Sequence, residues 1–111
     1  MATATFVNDG KTVDYTPSSA VAAGDVVVQG DLVGVAKIPI AANALGALAT
    51  VGVFDVPKAT GGGSAIAVGS TVYWDATNHV ATTTSSGNKL MGKTVKAAAD
   101  ADTTVRVRLF Q

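Results

Sequence analysis

The residues of this chain best spaced for chemistry are Gly87, Gly92, Lys93 and Thr94, which fit the phosphate-binding pattern G-x-x-x-x-G-K-[ST]. In that pattern backbone N–H groups cradle phosphate oxygens while the lysine reaches the outer phosphates. It works where a strand feeds the loop and a helix follows, in a parallel sheet joined by long crossovers. Here the pattern begins at residue 87 of 111, and Val95 to Asp100 runs straight into another strand-like segment. Val51 to Asp55 resembles a magnesium-binding strand end, but the rest of the chain reads as hairpins. A turn at Gly87 and Asn88 followed by a β-strand explains the match better. Nucleotide binding is therefore not expected, and Lys93 is expected to face solvent.

The other reactive side chains are sparse. His79 is the only histidine and lies in a turn, with no cysteine or second imidazole to complete a metal site. The serines, Ser64 and Ser70 among them, have no base within reach except His79, and no third group to orient it, so nucleophilic catalysis lacks its parts. The aspartates fall mostly at turns, where Asp bonds its own backbone. Arg106, Arg108, Lys93 and Lys96 form a potential basic stripe on adjacent strands; a solvated outer face is its default reading and a partner site the alternative. No catalytic, cofactor-binding or metal residue is expected.

The totals point the same way. Eight basic residues balance eight acidic ones, all Asp, so nothing draws the chain to nucleic acid or anionic lipid. Val, Thr and Gly surround the abundant alanines, and Glu is absent, a composition that favours strands over helices. No cysteine is present, and Met1 to Phe6 has neither the basic nor the apolar part of a secretory signal. Residues 38–54 carry no charge, but Pro39, Asn43, Gly46 and Gly52 interrupt them. Two buried strands joined by a turn at residues 43–46 fit better than a membrane span.

The elements follow from turn chemistry. Gly69 to Thr84 is the organising hairpin: Thr71, Val72, Tyr73 and Trp74 suit a half-buried strand, Asp75 opens the turn, Asn78 can take the left-handed conformation, and Val80 to Thr84 returns. Gly24 to Ala36 is a weaker copy. Thr3 to Val7 and Thr12 to Tyr15 flank Asn8, Asp9 and Gly10, a hairpin signal, with Val13 and Tyr15 on one face. Leu48 to Val56 reads as one strand ended by Pro57. Residues 60–64 are a flexible loop. Thr103 to Phe110 alternates, with Val105, Val107 and Leu109 inward and Arg106 and Arg108 outward. An all-β, small single-domain β-barrel built from short antiparallel strands is expected, with Tyr73, Trp74, Val105, Val107 and Leu109 as core anchors. Residues 1–16 would form an N-terminal β arm or hairpin and residues 17–111 the barrel domain.

These stretches together resemble a family. Residues 9–19, 23–28 and 34–36, then 52–58 and 72–78, and finally 104–109 are similar, in order, to small tailed-phage and prophage capsid cement (head decoration) proteins. Such proteins are often labelled predicted RecA/RadA-type phage recombinases, the reading to which the residue 87–94 match would tempt. The resemblance implies a β-tulip-like barrel, commonly a homotrimer, on the outer surface of the phage head, made in the bacterial host cytoplasm. Its partner would be the major capsid protein, which it would bind and stabilise without nucleic acid, membrane or cofactor. It supplies no catalytic residue. Thr3, Thr5, Phe6 and Val7 would serve as a capsid-binding arm, adding a strand to a sheet edge. The alternatives are a virion carbohydrate- or receptor-binding module, for which Tyr15, Tyr73 and Trp74 are the aromatic candidates, and a nucleotide-binding recombination protein.

Overall fold

The computed structural model describes residues 3–110, and among these the secondary structure is all β, in two antiparallel sheets. The strands are β1 (Thr12–Tyr15), β2 (Val26–Gln29), β3 (Leu32–Val35), β4 (Gly46–Ala49), β5 (Gly52–Pro57), β6 (Thr71–Asp75), β7 (Val80–Thr82), β8 (Lys89–Thr94) and β9 (Thr104–Leu109). One sheet has the order β1-β4-β3-β2 and the other β5-β9-β8-β6-β7. The second sheet curls until Lys58, just after β5, makes a single parallel bridge to Ala81 of β7. The barrel is thus begun but not closed.

Two of the expected hairpins form as their turns dictate. In β2–β3 the two-residue loop places Gly30 first with φ 59°, as a primed turn requires. In β6–β7 the Asp75 carboxylate accepts the N–H groups of Thr77 (2.9 Å) and Asn78 (3.1 Å) and the Asn78 side-chain amide (2.8 Å). The left-handed residue of that turn is His79 (φ 56°) rather than Asn78, whose side chain is instead engaged with Asp75.

The N-terminal hairpin does not form. Residues 3–9 carry no strand, and β1 pairs with β4, Val13 opposite Leu48 and Tyr15 opposite Gly46. The Asn8 side chain does accept the Gly10 N–H (2.7 Å), but this local turn sets the entry to β1 instead of folding residues 3–7 back on it. Residues 12–15, expected in the arm, therefore belong to the first sheet; Met1 and Ala2 lie outside the described residues. The single strand expected over residues 48–56 is also two. Gly52, at φ 129°, bends the chain between β4 and β5 and carries it from one sheet to the other. Thr50 fixes the crossing: its hydroxyl donates to the Gly10 carbonyl and its N–H to that of Lys11 (3.0 Å).

Strand β3 is buried on both faces. Val33 and Val35 enter the main core with Val56, Val72, Trp74, Met91, Val105, Val107 and Leu109. On the other side Ala36 packs with Ile40 and Leu48, covered by Val13, Tyr15, Val21 and Val27. Gly34 permits this, since a Cβ there would lie 2.8 Å from that of Leu48. Tyr73, expected among the core anchors, belongs to neither core. Its neighbours Val72 and Trp74 point inward, so the two-residue period of the strand puts Tyr73 on the outer face, half-buried. Nor are the uncharged residues 38–54 wholly buried: Ile38, Leu45, Val51 and Val53 are exposed.

Trp74 is 5% exposed. Trp74→Ala is expected to cost about 3–5 kcal/mol, read from denaturant unfolding; an unchanged midpoint would contradict its place in the core. Acid should also loosen the fold. The carboxyls of Asp75, Asp31 and Asp55 are held below their usual range, chiefly by hydrogen bonds from Asn78, Lys89 and Arg106 respectively. Their folded pKa values lie under the unfolded value, about 3.9. Their contribution is thus complete above that pH and is lost as pH falls through the folded values. A melting temperature that declines below about pH 4, less steeply in Asp75→Asn, is the expected result.

Candidate functional site

Each residue of the phosphate-loop match has a structural occupation. Asn88 follows Gly87 (φ 75°) in a turn, and residues 89–94 are strand β8, not a loop. Gly92 pairs with Leu109 of β9 with no room for a side chain: a Cβ there would sit 2.0 Å from the Arg108 carbonyl oxygen. The Thr94 hydroxyl is buried, donating to the Ala67 carbonyl (2.7 Å) and accepting the Ser70 N–H (3.0 Å). Lys93 points outward. No helix follows among the described residues, so no row of N–H groups is aimed at an anion.

The remaining reactive groups are not brought together either. His79 is exposed at the rim of an open cavity of about 380 Å³ that also touches Asp25, Pro57 and the edge of Trp74. Among the described residues no three His, Cys, Asp or Glu side chains converge as metal ligands would. The aromatic candidates are dispersed: Trp74 is buried, Tyr15 covers the smaller core and Tyr73 lies on the outer face of the second sheet. No stacking platform results.

What the fold does present is apolar surface. Thr3, Thr5, Phe6 and Val7 are all exposed, Phe6 at 79% and Val7 at 85%. They extend from the anchored turn at Gly10. Beside that turn lies a groove of about 310 Å³ lined by Val13, Leu32, Thr50, Val51 and Phe110. Ile38 and Leu45 are exposed on the segment between β3 and β4. On the outer face of the second sheet, Val53, Arg108 and Lys93 form one row across β5, β9 and β8, with Leu90 and Val95 exposed nearby. The expected basic stripe is divided there. Arg106 is taken by Asp55 through two bonds (2.9 and 3.2 Å), and Lys96 adds to the field on Asp55, while Lys93 and Arg108 stand opposite one another.

One buried charge was not foreseen. Lys58 is 5% exposed, and its ammonium donates to the carbonyls of Ala59 (2.8 Å), Ala99 (3.0 Å) and Asp102 (3.0 Å). All three donors are satisfied, so it ties the end of β5 to the turn before β9. Its place after Pro57 gave no sign of this, because two of its three partners are backbone carbonyls more than 40 residues away.

Compared with known proteins, residues 7–109 match a family model described as phage cement protein. No curated protein and no solved structure matches the chain.

Removing the Lys58 ammonium leaves carbonyls without donors, so Lys58→Met should cost about 2–3 kcal/mol of stability in denaturant unfolding. A neutral substitution would mean that water replaces the ammonium freely. ATP with magnesium should leave the melting temperature of the native chain and of Lys93→Ala unmoved; a shift abolished by that substitution would restore the nucleotide reading.

Proposed function

This chain belongs to the phage cement proteins, and from that premise we propose that it binds the outer surface of the major capsid protein shell and stabilises the head. It acts as a homo-oligomer, a trimer, with residues 1–7 of each copy as a capsid-binding arm. It is made in the host cytoplasm and works in the virion as a structural protein rather than an enzyme.

The observation that carries this reading is the exposure of Phe6 and Val7 on a strandless segment joined to a fixed body. A free-standing arm that holds apolar side chains in water gains by covering them. An extended segment pairs readily with a sheet edge, its backbone supplying affinity and a side chain such as Phe6 supplying a pocket contact. The total surface supports association too. It is 6674 Å², against about 5,600 Å² for a compact monomer of this mass. The arm accounts for part of the excess and the exposed apolar residues of the body extend it. In an oligomer each arm makes later contacts effectively intramolecular, so weak contacts combine into strong binding.

The carbohydrate- or receptor-binding alternative wants an exposed aromatic surface, and Trp74 is in the core. The recombination reading wants a phosphate loop, and residues 89–94 are strand.

Deleting residues 1–7 should leave the body folded, because β1 begins at Thr12 and keeps its partners. The truncated chain should bind heads stripped of the native protein at least about tenfold more weakly in co-sedimentation, avidity multiplying the loss of one contact per copy. Binding as tight as that of the full chain would reduce the arm to a frayed end. Failure of the full chain to bind heads would overturn the function proposed.

A further inference from the structure

Lys93 and Arg108 are direct cross-strand partners on an outer sheet face, both exposed. Like charges so placed repel one another and weaken the pairing. The next row of the same strand is built differently, with Arg106 opposite Asp55 and bonded to it twice. Among the described residues no carboxylate lies within salt-bridge distance of Lys93 or Arg108. The other neighbour of Arg108 is Val53, 55% exposed, where an acidic residue would have relieved the repulsion. The Phe110 ring lies 5.7 Å from the Lys93 ammonium, and Leu90 and Val95 are exposed along β8 and just beyond it. Two unmatched cations framed by apolar side chains on a strand face have the chemistry of an interface rather than of a solvated surface.

We propose that the outer face of β8 and β9 is a second docking surface, one that receives an acidic segment of the major capsid protein. Lys93 and Arg108 take its carboxylates, while Val53, Leu90, Val95 and Phe110 cover the apolar residues beside them. The inference rests on the function proposed above and adds a contact made by the body rather than the arm. Charge complementarity selects the occupant. A nucleic acid needs a broad basic surface, and this chain is neutral overall with a single unmatched pair here. A second copy of the chain has little to offer. Asp31 and Asp55 are engaged with Lys89 and Arg106, and Asp25, Asp75, Asp100 and Asp102 accept backbone N–H groups. Among the described residues only Asp9 and Asp14 remain without such a bond.

The test uses the full chain and stripped heads, with co-sedimentation at about 50 and 300 mM salt, where screening of exposed charges differs strongly. Native binding should weaken with salt. The double variant Lys93→Glu, Arg108→Glu should bind about tenfold or more weakly at low salt and lose most of that salt dependence. Lys93→Glu alone sets opposite charges across the strands, so its melting temperature should not fall while its binding does. That separation excludes unfolding as the cause. Double-variant binding equal to native at both salts, with the native chain bound, would overturn this inference and leave the proposed function standing. Native-like head binding by a double variant that has lost self-association would also overturn it, because the face would then join copies of the chain. If the native chain fails to bind heads, both fall together.

Discussion

The close pairing of β8 with β9 at Gly92 is the constraint on which the outer face of the second sheet depends. The strands approach so closely that no side chain fits there, a Cβ meeting the Arg108 carbonyl at 2.0 Å. Next to it the β6–β8 register shifts between Val72 and Tyr73, and Met91 is turned fully into the core. The same step determines what faces outward. With Gly92 fixed opposite Leu109, Lys93 must stand opposite Arg108, and its side chain must leave on the solvent side. Core and outer face are thus two consequences of one backbone contact. The glycine and lysine that imitate a phosphate loop are there for strand geometry.

The charges divide into those that hold the fold and those left over. Aspartates at 25, 75 and 102 tie short turns to their own backbone, and Asp100 ties the residue 60–65 loop to the turn before β9. Lys58 does the same from inside, through three carbonyls. These bonds tie the turns and strand ends together in a chain that has no cysteine for disulfides. The apolar residues show a similar division. The two cores share β3, while Phe6, Val7, Ile38, Leu45 and Val53 remain in water. A protein whose work is to cover another surface needs such a remainder, and one that binds small molecules needs a convergent pocket instead.

Much of this was legible in the sequence where the signal was local. Asp75 opened its turn as its carboxylate chemistry requires, Gly30 made the β2–β3 loop, and the alternation of residues 104–109 put Val105, Val107 and Leu109 inside. The turn at Gly87 and Asn88 and the strand after it were also legible, because the segment leaves no room for a helix and crossover. Long-range pairing was not legible. Residues 8–10 signal a turn, but nothing local says that β1 will pair with β4 more than 30 residues on. Gly52 within an apolar run gave no notice that the chain would change sheets. Tyr73 lies outside the core because alternate residues of a strand face opposite ways, and only one of two adjacent aromatics can point inward. The Lys93–Arg108 pair depends on the register between two strands, in which Gly92 stands opposite Leu109, and neither charge signals that register locally.

The account stands on this chain being a built component of the phage head. The most direct measurement is its copy number relative to the major capsid protein in purified virions, from quantitative gel or mass spectrometry. The account predicts a fixed, high ratio, repeated between preparations and in keeping with a regular site on an icosahedral surface. Absence from purified virions, or a trace amount that varies with purification, would contradict it.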